Sequence, residues 1–128
     1  MRILVVEDEP LLREVLVDIV EMHGHEAVAC RDGIEALVAL LIGPEPGLVI
    51  TDVQMPRCNG AELVHAIGEA LRAVPVVVIT GQASDDQMRM IERSAARVLR
   101  ILRKPFEIAA VLDLIEQAAG EVREAAAA

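Results

Sequence analysis

The sequence predicts an α/β domain: a five-stranded parallel sheet, doubly wound, with helices on both faces. Three observations predict it. Continuous apolar runs occur at 3–6, 48–50 and 76–79, with a less clear one at 98–102 that Arg100 interrupts, and continuous apolar runs mark strands buried on both faces. Apolar residues at helical spacing fill the gaps between them. Glycine and proline clusters separate the two kinds of segment. The chain has 128 residues, the size of one domain. A chain of this length buries about two-thirds of its unfolded surface and folds without a metal or disulfide.

The elements follow in order. The strand at 3–6 leads into a helix carrying Leu12, Val15, Leu16 and Ile19 on one face. Pro10 suits its first turn, and Gly24 closes it between His23 and His25. Residues 26–30 form the strand with the weakest pattern. Ile34, Leu37, Val38 and Leu41 define a second helix, ended by Gly43-Pro44-Glu45-Pro46-Gly47. After the strand at 48–50, a third helix is expected at 61–71, entered through Asn59 or Gly60. The strand at 76–79 precedes a fourth helix that starts near Ser84 or Asp85, both N-cap residues. The strand at 98–102 precedes a last helix with Ile108, Val111, Leu112 and Ile115 on one face. The domain is expected to span 1–120, and residues 121–128, which end in four alanines, to form a tail at a fraying helix end.

Composition excludes several functions. The formal charge is −9, which argues against direct binding of nucleic acid. There is no Trp or Tyr and a single Phe, Phe106, so no aromatic platform for bases exists. The longest apolar run, 36–42, is far short of the ~20 residues of a membrane span. Two cysteines, Cys30 and Cys58, lack metal-type spacing, and a reducing cytoplasm is the expected compartment. Cys58, in the loop after Asp52, is expected to be accessible. The histidines read as surface or turn residues.

In an open parallel sheet, ligands bind beyond the carboxyl ends of the strands. Glu7, Asp8 and Glu9 follow the first strand, Thr51 and Asp52 the third, Thr80 and Gly81 the fourth, and Arg103 and Lys104 the last. A parallel sheet brings these onto one edge. Clustered carboxylates repel one another unless a cation lies among them. Hard oxygen ligands suit Mg²⁺, and a carboxylate can act as a nucleophile toward phosphorus. A lysine and a threonine hydroxyl suit the charge on a transferring phosphoryl group.

Val6-Glu7-Asp8-Glu9-Pro10, Thr51-Asp52-Val53-Gln54-Met55-Pro56 with Asn59-Gly60, Thr80-Gly81 and Lys104-Pro105-Phe106 together resemble the response-regulator receiver domain, the phosphoacceptor of two-component signalling. The resemblance implies a flavodoxin-like fold with strand order 2-1-3-4-5. It implies that Asp52 is phosphorylated and that Glu7, Asp8, Asp52 and the Gln54 backbone carbonyl hold Mg²⁺. Thr80 and Lys104 would meet phosphoryl oxygens, Gly81 would leave room for the group, and Gln54 and Gln82 would tune its hydrolysis. The peptide between Lys104 and Pro105 would be cis. The implied donor is a sensor histidine kinase or a histidine phosphotransfer protein. The implied output is a downstream protein target, or a homodimer, on the helix-four/strand-five/helix-five face. The chain would not be an enzyme beyond promoting its own phosphorylation and dephosphorylation.

Two departures from the family pattern stand out. Ile101 occupies the position three before the lysine where the family usually has an aromatic ring. The Gly-Ala-Asp turn before the last strand is replaced by Ala96-Arg97-Val98, so an irregular or longer fourth helix is expected. Residues 89–104 carry six basic residues and one acid, a net +5 that leaves −14 for the rest. That stretch is expected to dock an acidic surface through Arg93 and Arg97. Each site residue also has a plainer reading. Glu7 and Asp8 would cap the first helix, Asp52 would be a turn residue, Thr80 would bond backbone, and Lys104 would be solvated. Two other functions compete: a Mg²⁺-dependent phosphatase, for which Gln54 replaces the required second acid, and a receiver-like interaction module that is never phosphorylated.

Overall fold

The computed structural model describes residues 1–71 and 73–127. The strands are β1 (Arg2–Val6), β2 (Glu26–Cys30), β3 (Leu48–Asp52), β4 (Pro75–Thr80) and β5 (Arg97–Arg103). The helices are α1 (Pro10–Met22), α2 (Gly33–Ile42), α3 (Gly60–Ala70), α4 (Asp85–Arg93) and α5 (Ile108–Ala127). All five strands are parallel, in the order β2-β1-β3-β4-β5. The weakly patterned segment 26–30 is an edge strand, which explains its mixed burial.

β3 and β4 are buried along their whole length, as their continuous apolar sequence demands. Alternate residues of the sheet feed two cores. Leu4, Val49, Val76 and Val78 meet α2, α3 and α4 through residues such as Ala36, Leu63, Ile67 and Ile91. Ile3, Ile50, Val77 and Ile79 meet α1 and α5 through Leu16, Ile19, Val111 and Ile115.

The caps follow the local sequence. Asn59 with Glu62, and Ser84 with Gln87, form reciprocal capping boxes at α3 and α4. Asp32 caps α2 by accepting from Glu35 N at 2.9 Å. Helix α4 differs from expectation. It is shorter, nine residues, and ends where the Ser94 hydroxyl donates to the Ile91 carbonyl at 2.7 Å. The irregularity lies in the strand that follows. Val76 pairs with Val98 and Val77 with Arg100, so Leu99 is an extra residue in β5. Residues 121–127 continue α5. No helix among the described residues is long and apolar enough to cross a membrane.

Candidate functional site

Strand register sets the site. Asp52 ends β3 and pairs with Ile79; Thr80 ends β4 and pairs with Arg103. Glu7 follows β1, its N–H donating to the Cys30 carbonyl at 3.0 Å. Lys104 follows β5, its N–H donating to the Thr80 carbonyl at 2.8 Å. Four strand ends therefore deliver four side chains to one rim. The Lys104–Pro105 peptide is cis.

Lys104 Nζ donates to Asp52 Oδ2 at 2.9 Å and to Glu7 Oε1 at 3.0 Å. Glu7, Asp8 and Asp52 each place a carboxylate oxygen within 4.8 Å of the others. Glu7 and Asp52 are buried, whereas Asp8 is exposed at the mouth. Three carboxylates against one ammonium leave an excess of negative charge that a divalent cation would offset. The donors are all hard oxygens and the mouth is open to water, which fits Mg²⁺.

Burial raises the Glu7 carboxyl to about 7; the Lys104 hydrogen bond opposes that rise and the Asp52 charge adds to it. Burial works against the Lys104 charge, yet its hydrogen bonds to Asp52 and Glu7 prevail and hold its pKa above the usual value. Asp52 Oδ1 accepts from Val53 N at 2.7 Å and Gln54 N at 3.3 Å. The carboxylate is thus held on both sides, by two amides and by the lysine.

The plainer readings fare differently. The N-cap of α1 is Glu9 and makes no side-chain cap bond. Glu7 instead accepts from Glu9 N at 3.2 Å through Oε2, while its Oε1 meets Lys104. Asp52 does hold a turn, but with one oxygen only. Thr80 Oγ1 is buried and has no hydrogen-bond partner among the described residues. A buried hydroxyl without a partner is costly, and this one lies at the strand end beside Lys104. Thr51, by contrast, donates to the Asp52 carbonyl at 2.9 Å.

A Cβ at Gly81 would rest 3.6 Å from the Lys104 stem, an ordinary contact. Gln82 is exposed on the same loop, and Ile101 is half-buried against the α2–α4 side of the core. The Gln54 side chain reaches across to α4, where Nε2 donates to Gln87 Oε1 at 2.8 Å.

Several expectations need correction. Cys58 is buried, not accessible, and burial pushes its thiol pKa up. Arg97 is exposed and already ion-paired within the chain: its Nη1 donates to Glu121 Oε2 at 2.7 Å. Arg89 pairs with Asp86 at 2.6 Å.

Three contributors were missed by sequence reasoning. Arg13 Nη1 donates to the Glu7 carbonyl at 3.0 Å and supports the acidic loop. Arg57, at φ +64° in the loop after Asp52, donates through Nε to the buried Asp32 at 2.9 Å. Gln87 anchors Gln54. Two local signals existed: the Asp32-Gly33-Ile34-Glu35 pattern for Asp32, and the Ser84-Asp85-Asp86-Gln87 capping-box pattern for Gln87.

Comparison with known proteins decides the family. The profile of the response regulator receiver domain matches residues 3–116. The chain belongs to the response-regulator receiver family. The receiver domain is 38% identical over 114 residues to the response regulator protein FleR of Pseudomonas aeruginosa, covering 89% of this chain and 24% of that protein. It is 38% identical over 125 residues to the transcriptional regulatory protein PdtaR of Mycobacterium tuberculosis, covering 96% of this chain and 58% of that protein. The chain thus spans less than two-thirds of either relative. Among solved structures, the receiver domain of NtrX from Brucella abortus superposes with a TM-score of 0.78 at 30% identity, covering 91% of this chain and 96% of that one. The receiver is a two-component signalling domain with the flavodoxin-like strand order.

Proposed function

We propose that this receiver accepts a phosphoryl group on Asp52 and passes the event to a protein partner. The observation that carries the reading is the shared contact of Lys104 with Asp52 and Glu7 beside the unpartnered Thr80 hydroxyl. Glu7, Asp8, Asp52 and the Gln54 backbone carbonyl would hold Mg²⁺. When bound, the ion would neutralise charge on the transferring group and on the acceptor.

The remaining chemistry belongs to the chain. A carboxylate oxygen of Asp52 attacks the donor phosphorus. The new O–P bond forms as the P–N bond to a phosphohistidine breaks, and the electron pair returns to the imidazole. From acetyl phosphate, the P–O bond breaks and acetate leaves. Lys104, which donates to Asp52 Oδ2, then pairs with a phosphoryl oxygen. Thr80 Oγ1 donates to another, which satisfies the buried hydroxyl. Gly81 and Gln82 lie on the loop that follows. Position 54, where a phosphatase acting on an external phosphoester would carry its second acid, is an amide. The domain therefore promotes only its own phosphorylation and dephosphorylation.

The donor on this reading is a sensor histidine kinase or histidine phosphotransfer protein. Output, to a downstream protein or a second copy, uses the α4-β5-α5 face. Two free, buried cysteines are compatible with a cytoplasmic setting, and we assign the domain to residues 1–120 with the end of α5 as its tail. Incubation with acetyl phosphate and Mg²⁺ tests the proposal by intact mass. One phosphoryl group should add, and Asp52→Asn or EDTA should abolish it. An adduct that survives in Asp52→Asn would refute the assignment.

A further inference from the structure

The Gln54–Gln87 bond joins two elements that the chain separates by 33 residues. Gln54 lies two residues past Asp52, and its backbone N–H donates to Asp52 Oδ1. Gln87 lies in the first turn of α4. Its Oε1 accepts from Ser84 N at 2.9 Å as well as from Gln54 Nε2 at 2.8 Å. Its own N–H donates to Ser84 Oγ at 3.1 Å. A side-chain carbonyl has two lone pairs, and here both are used. One closes the cap of α4, and the other holds the loop that carries the acceptor.

Helix α4 otherwise buries little of its own surface. Ile91 is its one fully buried side chain, and its neighbour is α3. The bond to Gln54 therefore ties the N-terminal end of a sparsely buried helix to the acceptor loop. Ser84 also lies only four residues after Thr80, whose buried hydroxyl lacks a partner.

We propose that Gln87 is a positioning residue: by holding the Gln54 amide it keeps α4 docked on the acceptor loop in the unphosphorylated protein. This rests on Asp52 being the acceptor. When phosphoryl oxygens draw in the Thr80 hydroxyl, the loop 81–84 carries Ser84 and the cap of α4 with it, and the Gln54 contact breaks. Linkage fixes the sign. A bond made in the unphosphorylated state and lost in the other disfavours phosphoryl binding, so its removal must favour it. A hydrogen bond between two neutral side chains at the surface corresponds to about a 2- to 10-fold change in equilibrium.

The test is a titration of the intact chain with beryllofluoride and MgCl₂, a surrogate for the phosphoryl group. It is followed by ¹H–¹⁵N NMR, because the chain has no Trp or Tyr to report by fluorescence. Gln87→Met should tighten apparent binding about 2- to 10-fold. Gln54→Met breaks the same bond and spares the α4 cap, and should tighten binding similarly. In the Gln54→Met background Gln87→Met should shift binding less than it does in the unsubstituted chain, as a double-mutant cycle requires of a shared contact; what remains is the effect of the Ser84 cap bond that it also removes. An unchanged or weaker affinity for Gln87→Met, or an equal shift in both backgrounds, would overturn the tether. Failure of the unsubstituted chain to bind the surrogate, or equal binding by Asp52→Asn, would instead overturn the acceptor reading.

Discussion

Glu7 is an acid kept out of water. Its carboxyl is raised from 4.5 to about 7, chiefly by burial. Below about pH 4.5 it is protonated in the folded and unfolded chains alike. Between 4.5 and about 7 the folded chain retains a proton that the unfolded chain has released. Stability therefore falls as pH rises through that window, and the full cost is present above it. Without divalent cations, Glu7→Gln should raise stability at about pH 8 by roughly 1–3 kcal/mol, with the gain fading as pH falls toward 4; urea unfolding measures it. Thr80 carries a related cost. Thr80→Val removes a buried hydroxyl that has no partner, and should stabilise the unphosphorylated fold by about 1 kcal/mol while weakening phosphoryl binding. A calorimetric melt that drops for Thr80→Val would show that the hydroxyl is satisfied after all. Glu7, Asp8, Asp52, Thr80 and Lys104 were legible in the sequence because each follows or ends an apolar strand, and a parallel sheet must gather such positions at one edge. Arg13, Arg57 and the Gln54 contact of Gln87 were not, because these partners are met only when the loops close over that edge. The Arg57–Asp32 contact spans 25 residues and leaves no local pattern.

At the scale of elements, the helices are unequal. α3 buries six residues and α4 buries only Ile91. Sparse burial predicts local opening, so amides of α4 should exchange with deuterium well before those of β3 and β4. Protection of α4 equal to that of the central strands would contradict this. The acceptor loop is held more rigidly. A Cβ at Gly60 would overlap the Asp52 carbonyl and Val53 Cα. Gly60→Ala should therefore cost more than about 2 kcal/mol in urea unfolding, by forcing backbone apart directly beneath the acceptor. Strand order, the caps at Asn59 and Ser84 and the breaker at 43–47 could be read from sequence, since each depends on local chemistry. The end of α4 and the bulge at Leu99 could not. No glycine marks the stop, which a serine hydroxyl makes instead, and a one-residue bulge keeps both neighbouring runs apolar.

For the whole molecule, one arrangement explains the charge distribution. Acids gather at the mouth of a site that contains a lysine, while the arginines of 89–103 are partly neutralised by Asp86 and Glu121. The sheet serves as a frame whose strand ends face one way, so that chemistry at a single carboxylate sits beside α4, the helix with the fewest fully buried residues. Relatives longer than this chain show the same unit built into larger regulators. The account rests on Asp52 as the one residue that takes the phosphoryl group. After incubation with acetyl phosphate and Mg²⁺, borohydride reduction converts an aspartyl phosphate to homoserine, and peptide mapping finds the converted position. The prediction is homoserine at position 52 alone; conversion at another carboxylate, with Asp52 intact, would contradict it.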